Sequence, residues 1–295
     1  MSSPNLLNSI SAAEEAEKSN LKLPDPAPDG RINTLNSMGG SYKKLPEFTE
    51  NFISLVKQYT KPKILEIGCA YGEACVNLMK EAEVDYTAID IDPRHLKILA
   101  RRIKDECSER LENLRLIAGN FPNEDMVELL KEESFDFILT ENVLHFFTTK
   151  DLYETFHQFS RLLKPEGRLF SAISTPYLGI VKKDVIICFE HQVENFLRTT
   201  STKEPDLEIP MFIEDYRGIL DTNILTEEQM DTMLLPRGHS FLFDSRIARY
   251  FLERENFIVE RCDYKSIERD PIKLDGRERL EIIARKPKEI SIPII

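Results

Sequence analysis

The chain has 295 residues, 41% of them apolar, enough to bury a sizeable core in one large domain or in a domain with an insert. With 51 acidic against 39 basic residues its net charge is −12, which argues against nucleic-acid phosphates as a general partner because that affinity rests on Lys and Arg. Cys69, Cys75, Cys107, Cys188 and Cys262 are odd in number and lack metal-ligand spacing, so neither a disulfide framework nor a metal site is expected.

No apolar run approaches the ~18 residues of a membrane span, and the start lacks a signal-peptide pattern, so the protein reads as cytoplasmic. Residues 1–30 contain "SISAAEEAEKSN" and "PDPAPDG" and are expected to form a mobile tail. Residues 31–60 hold a lid segment, "NSMGGSYKK", with Tyr42 as an aromatic gate, and then a helix with Phe48, Phe52, Leu55, Val56 and Tyr59 on one face. Ile64, Leu65 and Ile67 follow the helix-incompatible Lys61-Pro62-Lys63 and read as a buried parallel strand. The strand ends at Gly68, and Ala74, Cys75, Leu78 and Met79 then recur at helical spacing.

A second strand, "YTAID" at 86–90, runs into Asp92-Pro93, an N-cap followed by proline at the first helical position. Leu96, Leu99, Ile103 and Cys107 give that helix its buried stripe, and Arg101-Arg102 reads as its solvated face. "LRLIAGN" at 114–120 is the third strand, with a helix around 124–132 after it. "FDFILT" at 135–140 precedes a helix carrying Leu152, Phe156, Phe159 and Leu163, which ends at "KPEG", and "RLFSAIS" at 168–174 is the fifth strand. This alternation predicts right-handed crossovers and a parallel sheet with helices on both faces.

The alternation stops at Pro176. Residues 177–239 hold a helical stripe of Val181, Val185, Phe189, Val193 and Phe196 and a second helical piece near 226–235, and are read as a mainly helical cap over the sheet's ligand edge. The pattern resumes with a helix over 244–255, the strand "FIVERCDY" and the last strand "RLEIIARK", leaving a C-terminal tail at 289–295.

The turn after the first strand carries Gly68 and Gly72 with Ala70 between them, so it lacks the three glycines of a dinucleotide fingerprint, and no Lys-Ser/Thr follows as a P-loop requires. It stands instead between Glu66, inside the strand, and Asp90, at the end of the next one. A carboxylate there can accept ribose hydroxyls while small residues let a ligand approach the backbone.

"LEIGCAYG", "YTAIDIDP", "LRLIAGN", "FDFILTENVLHFF", "RLLKPEGRLFSAIS" and "RLEIIARK" occur in the order and spacing of class I S-adenosylmethionine-dependent methyltransferases, which the chain resembles over a core of residues 61–176 and 240–288. It departs from them in Ala70 for a glycine, Asn120 where aspartate is common, and Glu166 within Lys-Pro-Gly-Gly. The resemblance implies a Rossmann-like, doubly wound seven-stranded sheet, mostly parallel, with its last strand inserted antiparallel between the fifth and sixth. It implies S-adenosyl-L-methionine as cofactor and S-adenosyl-L-homocysteine as product. Gly68, Ala70 and Gly72 would then meet the methionyl part, with Glu66 supporting the loop. Asp90 would hold the ribose, Ile91 would flank the adenine, Asn120 and Phe121 would border its amino edge, and Glu141 and Asn142 would face the sulfonium.

The expected reaction is an in-line methyl transfer to O, N, S or C that needs no metal and rests chiefly on alignment. A small-molecule acceptor is favoured by the acidic chain and the long insert, with Tyr42 and Tyr177 as lid or substrate contacts. A protein acceptor, aminopropyl transfer and a non-catalytic interaction module are the alternatives. His145, five residues beyond Thr140, is the candidate base, a role suited to a histidine titrating near neutrality. His191 and His239 are weaker candidates, and Cys69 and Cys75 are read as packing residues rather than nucleophiles. Neither the acceptor nor the oligomeric state follows from the sequence.

Overall fold

A computed structural model describes residues 4–27, 30–201, 209, 211–233, 235 and 238–288. The expected tail at 289–295 lies outside them. In chain order the first elements are β1 (Asn5–Leu7), α1 (Ser9–Lys18), β2 (Arg31–Asn33), β3 (Gly40–Tyr42) and α2 (Glu47–Val56). The alternating core follows as β4 (Lys63–Ile67), α3 (Glu73–Glu81), β5 (Asp85–Asp90), α4 (Pro93–Cys107), β6 (Leu114–Ala118), α5 (Glu124–Glu128), β7 (Phe135–Glu141), α6 (Thr149–Leu162) and β8 (Leu163–Ser174). The insert supplies α7 (Lys183–Thr199), β9 (Phe212–Ile213) and α8 (Glu227–Thr232), and the chain returns through β10 (Ser240–Phe241), α9 (Ser245–Arg254), β11 (Ile258–Lys265) and β12 (Arg279–Arg285).

The central sheet has the order β1-β6-β5-β4-β7-β8-β12-β11. The five strands from β6 to β8 run parallel, and β12 lies antiparallel between β8 and β11. The sheet is therefore doubly wound as expected, with eight strands among the described residues rather than seven. The extra one is β1, which pairs antiparallel with β6 through Asn5 to Ala118 and Leu7 to Leu116.

Helices cover both faces. Phe48 and Phe52 of α2, Leu78 and Met79 of α3, and Leu96, Leu99 and Ile103 of α4 fill one side, while Leu152, Phe156 and Phe159 of α6 and Ile247 and Phe251 of α9 fill the other. The stripes read from the sequence are these buried faces, except that Tyr59 lies exposed beyond the end of α2 and Leu163 belongs to β8 rather than α6. Asp92 caps α4 by accepting the Arg94 N–H at 2.9 Å, with Pro93 at its first position. "KPEG" differs from expectation because β8 begins just before it, at Leu163, and runs through it, with a register shift opposite Phe135–Phe137 of β7.

The expected mobile tail is instead largely ordered. Asn8 caps α1 by accepting the Ser11 N–H, and Ala12, Ala13 and Ala16 form a buried face small enough for α1 to lie directly on α4. Lys97 to Glu15 at 2.7 Å and Lys104 to Glu17 at 2.8 Å flank the contact, though exposed pairs of this kind add little. A stripe of alanines has a weak amphipathic signature, which is why it reads as polar in sequence. Ala13→Leu should therefore destabilise the protein by about 1–3 kcal/mol through overpacking, measured by urea unfolding. Amides of residues 9–18 should also exchange slowly, whereas a mobile tail would give fast exchange and a silent substitution.

Candidate active site

β4 is the point where the sheet's winding reverses, with β5 and β6 on one side and β7 and β8 on the other, so a crevice opens at the carboxyl ends of β4, β5 and β7. A cavity of about 750 Å³ fills it. Glu66, Gly68, Ala70, Asp90, Ile91, Asn120, Phe121, Glu141, Asn142, His145 and Tyr42 all stand around it. Gly72 and Tyr177 do not.

The glycine turn is held from within. Gly68 and Cys69 donate their N–H groups to the Ile89 carbonyl at 2.9 and 3.1 Å, Gly72 donates to the Cys69 carbonyl at 2.8 Å, and Ala70 donates to Asp90 Oδ2 at 2.8 Å. With these amides engaged and a carboxylate among them, the turn is poorly suited to cradle a pyrophosphate. Gly68, Ala70 and Gly72 take φ of +71°, +45° and +72°, a region that costs Ala70 strain and suits the two glycines. A Cβ on Gly68 would come within 2.3 Å of Val143 Cγ2, and one on Gly72 within 2.3 Å of Leu99 Cδ1. Both glycines are thus also demanded by packing, and Gly72 serves the turn into α3 rather than the cavity wall.

Asp90 is buried and gathers three donors. Oδ2 takes the Ala70 N–H, and Oδ1 takes the Asp92 N–H and His95 Nδ1, each at 2.9 Å. His95 Nε2 accepts the Leu35 N–H at 3.0 Å, so the two neighbours fix the tautomer, with the proton on Nδ1. Tyr71 Oη donates to the Asn33 carbonyl at 2.7 Å, and Arg94 Nη2 to that of Leu35 at 3.2 Å. These bonds root the β2–β3 hairpin beside the cavity. Sequence reasoning missed His95, whose place on the buried stripe of α4 gives no sign of its polar partners.

The roof differs from the expected cap. It is made by the hairpin and by the segment between β11 and β12, where Arg269 Nη1 donates to Tyr42 Oη at 3.2 Å. Arg31 ties the hairpin to the insert through the Met233 carbonyl. Ile91 is 51% exposed beside Asp90, an apolar wall left uncovered. Phe121 is buried, its ring stacked 6.2 Å from that of Phe159. Glu141 accepts from Thr49 Oγ1 at 2.5 Å and from Arg279 Nη2 at 3.1 Å, two residues on distant elements that the sequence does not mark. Asn142 is exposed at φ +55°, its N–H donating to the Ala172 carbonyl at 2.8 Å.

Burial pushes the Glu66 carboxyl up to about 8, against the Tyr86 hydroxyl donating to it at 2.8 Å. Burial also pushes His145 down to about 4, which corrects the expected titration near neutrality. His145 lies in a 3₁₀ turn, Leu144–Phe146, its ring centroid 4.0 Å from that of Phe146 and its Nδ1 buried without a partner. Tyr177 is buried away from the cavity, where its hydroxyl donates to Asp244 Oδ2 at 3.2 Å and the Arg277 guanidinium lies 3.7 Å above its ring. His239 Nε2 donates to the Phe146 carbonyl at 2.8 Å, bracing the turn that carries His145, and His191 is exposed on α7. Among the described residues no group of three His, Cys, Asp or Glu is placed to hold a metal ion. None of their helices is long and apolar enough to cross a membrane.

Residues 65–169 match the family described as a methyltransferase domain. A hybrid PKS-NRPS synthetase, LUC5, of Fusarium sp is 30% identical over 118 residues, covering 39% of this chain, and the match spans only 3% of that protein's length. A SAM-dependent methyltransferase of Methanosarcina mazei superposes with a TM-score of 0.53 at 15% identity, over 83% of this chain and 100% of that one, a likeness of fold.

The Glu66 shift has a stability consequence. A carboxyl whose folded pKa is about 8 against an ordinary 4.5 keeps its proton longer in the folded state, so stability falls as pH rises through that window, by up to ~1.4 kcal/mol per pH unit. Glu66→Gln, which keeps an oxygen for Tyr86, should match the parent near pH 5 and exceed it in urea unfolding at pH 8. Equal midpoints at pH 8 would count against the buried proton.

Proposed function

We propose that this chain, whose residues 65–169 match a methyltransferase domain, is a class I S-adenosylmethionine-dependent enzyme that methylates a small-molecule acceptor held beside His145. The observation carrying this reading is the half-open cavity of about 750 Å³ at the carboxyl ends of β4, β5 and β7, partly roofed by the chain's own hairpin, which suits a small partner better than a surface. The match to a stretch of a hybrid PKS-NRPS synthetase agrees with a biosynthetic substrate.

The residues present fit the cofactor. Asp90 and Glu141 give the cavity carboxylate walls suited to a ligand bearing an ammonium and a sulfonium, Glu66 adds a carboxyl that such a ligand would help to ionise, and exposed Ile91 offers an apolar face for its base. The engaged amides of the glycine turn agree with a ligand that has no phosphate. Gly68 and Ala70 would border the methionyl part, Asp90 would accept from the ribose through the acceptor capacity left on Oδ2, and Asn120 and Phe121 would stand at the adenine edge. Glu141 and Asn142 would stand towards the sulfonium, and Tyr42 would close the roof with Arg269.

When bound, S-adenosylmethionine supplies a methyl group on a positively charged sulfur, which makes that carbon electrophilic. The chain's part is to align the acceptor and exclude water, a contribution worth up to ~7–11 kcal/mol. His145 would accept a hydrogen bond from the acceptor's O–H or N–H. Its low pKa keeps the imidazole neutral at pH 7 and makes it a weak base, so orientation outweighs proton removal.

Two measurements test the reading. Calorimetry should show S-adenosylmethionine and S-adenosylhomocysteine binding to the parent, with affinity lowered at least tenfold in a folded Asp90→Ala variant. Unchanged affinity would remove Asp90 from the site. Once an acceptor is found, His145→Gln should keep cofactor affinity and lower kcat by roughly 10²-fold, the low end for a positioned acid or base. The parent's rate should show no acid limb near 6.5, because the imidazole stays neutral down to about 4. A limb near 6.5 that disappears in the variant would contradict the buried, neutral histidine.

A further inference from the structure

Behind the cavity lies a second, smaller chamber of about 150 Å³. His145, Ser174, Ile267 and Ile272 are walls of both spaces, so the chamber adjoins the cavity at His145. Its own walls are largely apolar, among them Leu178, Ile180, Phe241 and Leu242, and among the described residues no Asp, Glu, Lys or Arg borders it. The described residues of the insert do not line the cofactor cavity. They help to wall this chamber, with Leu178 and Ile180 at the insert's start, Tyr216 and Leu235 further along, and β10 just after its end.

Size and chemistry together restrict the occupant. An apolar space of ~150 Å³ takes one benzene-sized group, and apolar cavities of that size stay dry when empty. A charged group would lose its hydration there without an ion partner. His145 stands where the two spaces meet, with its Nδ1 buried and no hydrogen bond to it among the described residues, so its ring presents a polar wall to a ligand there.

We propose that this chamber is the acceptor subsite, and that it selects an uncharged ring or branched alkyl group of about six carbons whose hydroxyl or N–H sits at the chamber mouth against His145. The acceptor's apolar body occupies the space between the insert and the end of β8, and its nucleophilic atom points back towards the cofactor cavity. Carboxylates, phosphates and chains that carry charge within two or three atoms of the acceptor atom are excluded. Specificity then resides in the insert, while cofactor recognition resides in β4, β5 and β7. The substrate class rests on the methyl-transfer reading, but the chamber itself does not.

The probe is phenol, with cyclohexanol and acetate as companions, and the protein is the full chain with and without S-adenosylhomocysteine. In methyl-labelled wild-type protein, phenol and cyclohexanol should bind with nuclear Overhauser contacts to the Leu178 and Leu242 methyls, and acetate should not bind. Leu242→Phe, which adds volume inside the chamber, should weaken phenol at least tenfold and leave S-adenosylhomocysteine affinity within twofold. If that variant does not fold, the wild-type contacts alone decide. No phenol binding at millimolar concentration, contacts only to Ile91 and the cofactor cavity, or acetate binding equal to phenol would each overturn the proposal. Phenol in the chamber of a protein that fails to bind S-adenosylhomocysteine would sustain the subsite while removing the methyl-transfer reading.

Discussion

The carboxylate of Asp90 is the interaction on which the site depends. It stands at the end of β5, and its two oxygens collect the Ala70 N–H from the glycine turn, the Asp92 N–H from the start of α4, and Nδ1 of His95. Through His95 it reaches Leu35 and the hairpin that roofs the cavity. Three segments far apart in sequence are thereby fixed to one charge. A buried carboxylate with this many donors is held in one orientation. The strain of Ala70 at φ +45° is tolerable for the same reason, since its amide has a partner of full charge.

Around that anchor the cavity is electrostatically graded. Glu66 is buried like Asp90 and has no cationic partner among the described residues, so burial favours its neutral form. Glu141 is paired with Arg279 and Thr49, which fixes its direction. Three carboxylates of the same residue class are thus put to different uses by their surroundings alone. A cationic ligand entering this space meets one fixed charge in Asp90, one paired charge in Glu141 and one group, Glu66, whose proton it would help to release.

The two neighbouring spaces have different origins. The larger is a property of the doubly wound sheet, which opens a crevice wherever its winding reverses. The smaller belongs to the insert and to the segments that return from it. His145 stands where they meet, on a 3₁₀ turn braced by His239 through the Phe146 carbonyl.

The sequence by itself determined the strand and helix alternation, the antiparallel last strand through resemblance, and the buried stripes of α4 and α6, because these depend on local periodicity and on motifs that lie close together in the chain. It also marked Gly68, Ala70, Asp90 and Ile91, which sit in the turns that immediately end β4 and β5. Only the tertiary structure decided what reaches those turns from elsewhere. The alanine face of α1 is too weakly apolar to announce that it will pack, and β1 finds its partner only once β6 is in place. His95 looks like a core residue until the hairpin supplies Leu35. Tyr177 is drawn off by Asp244 and Arg277, partners distant in sequence. His145 carries no sequence signal for its low pKa, since desolvation depends on everything packed around a ring rather than on its neighbours along the chain.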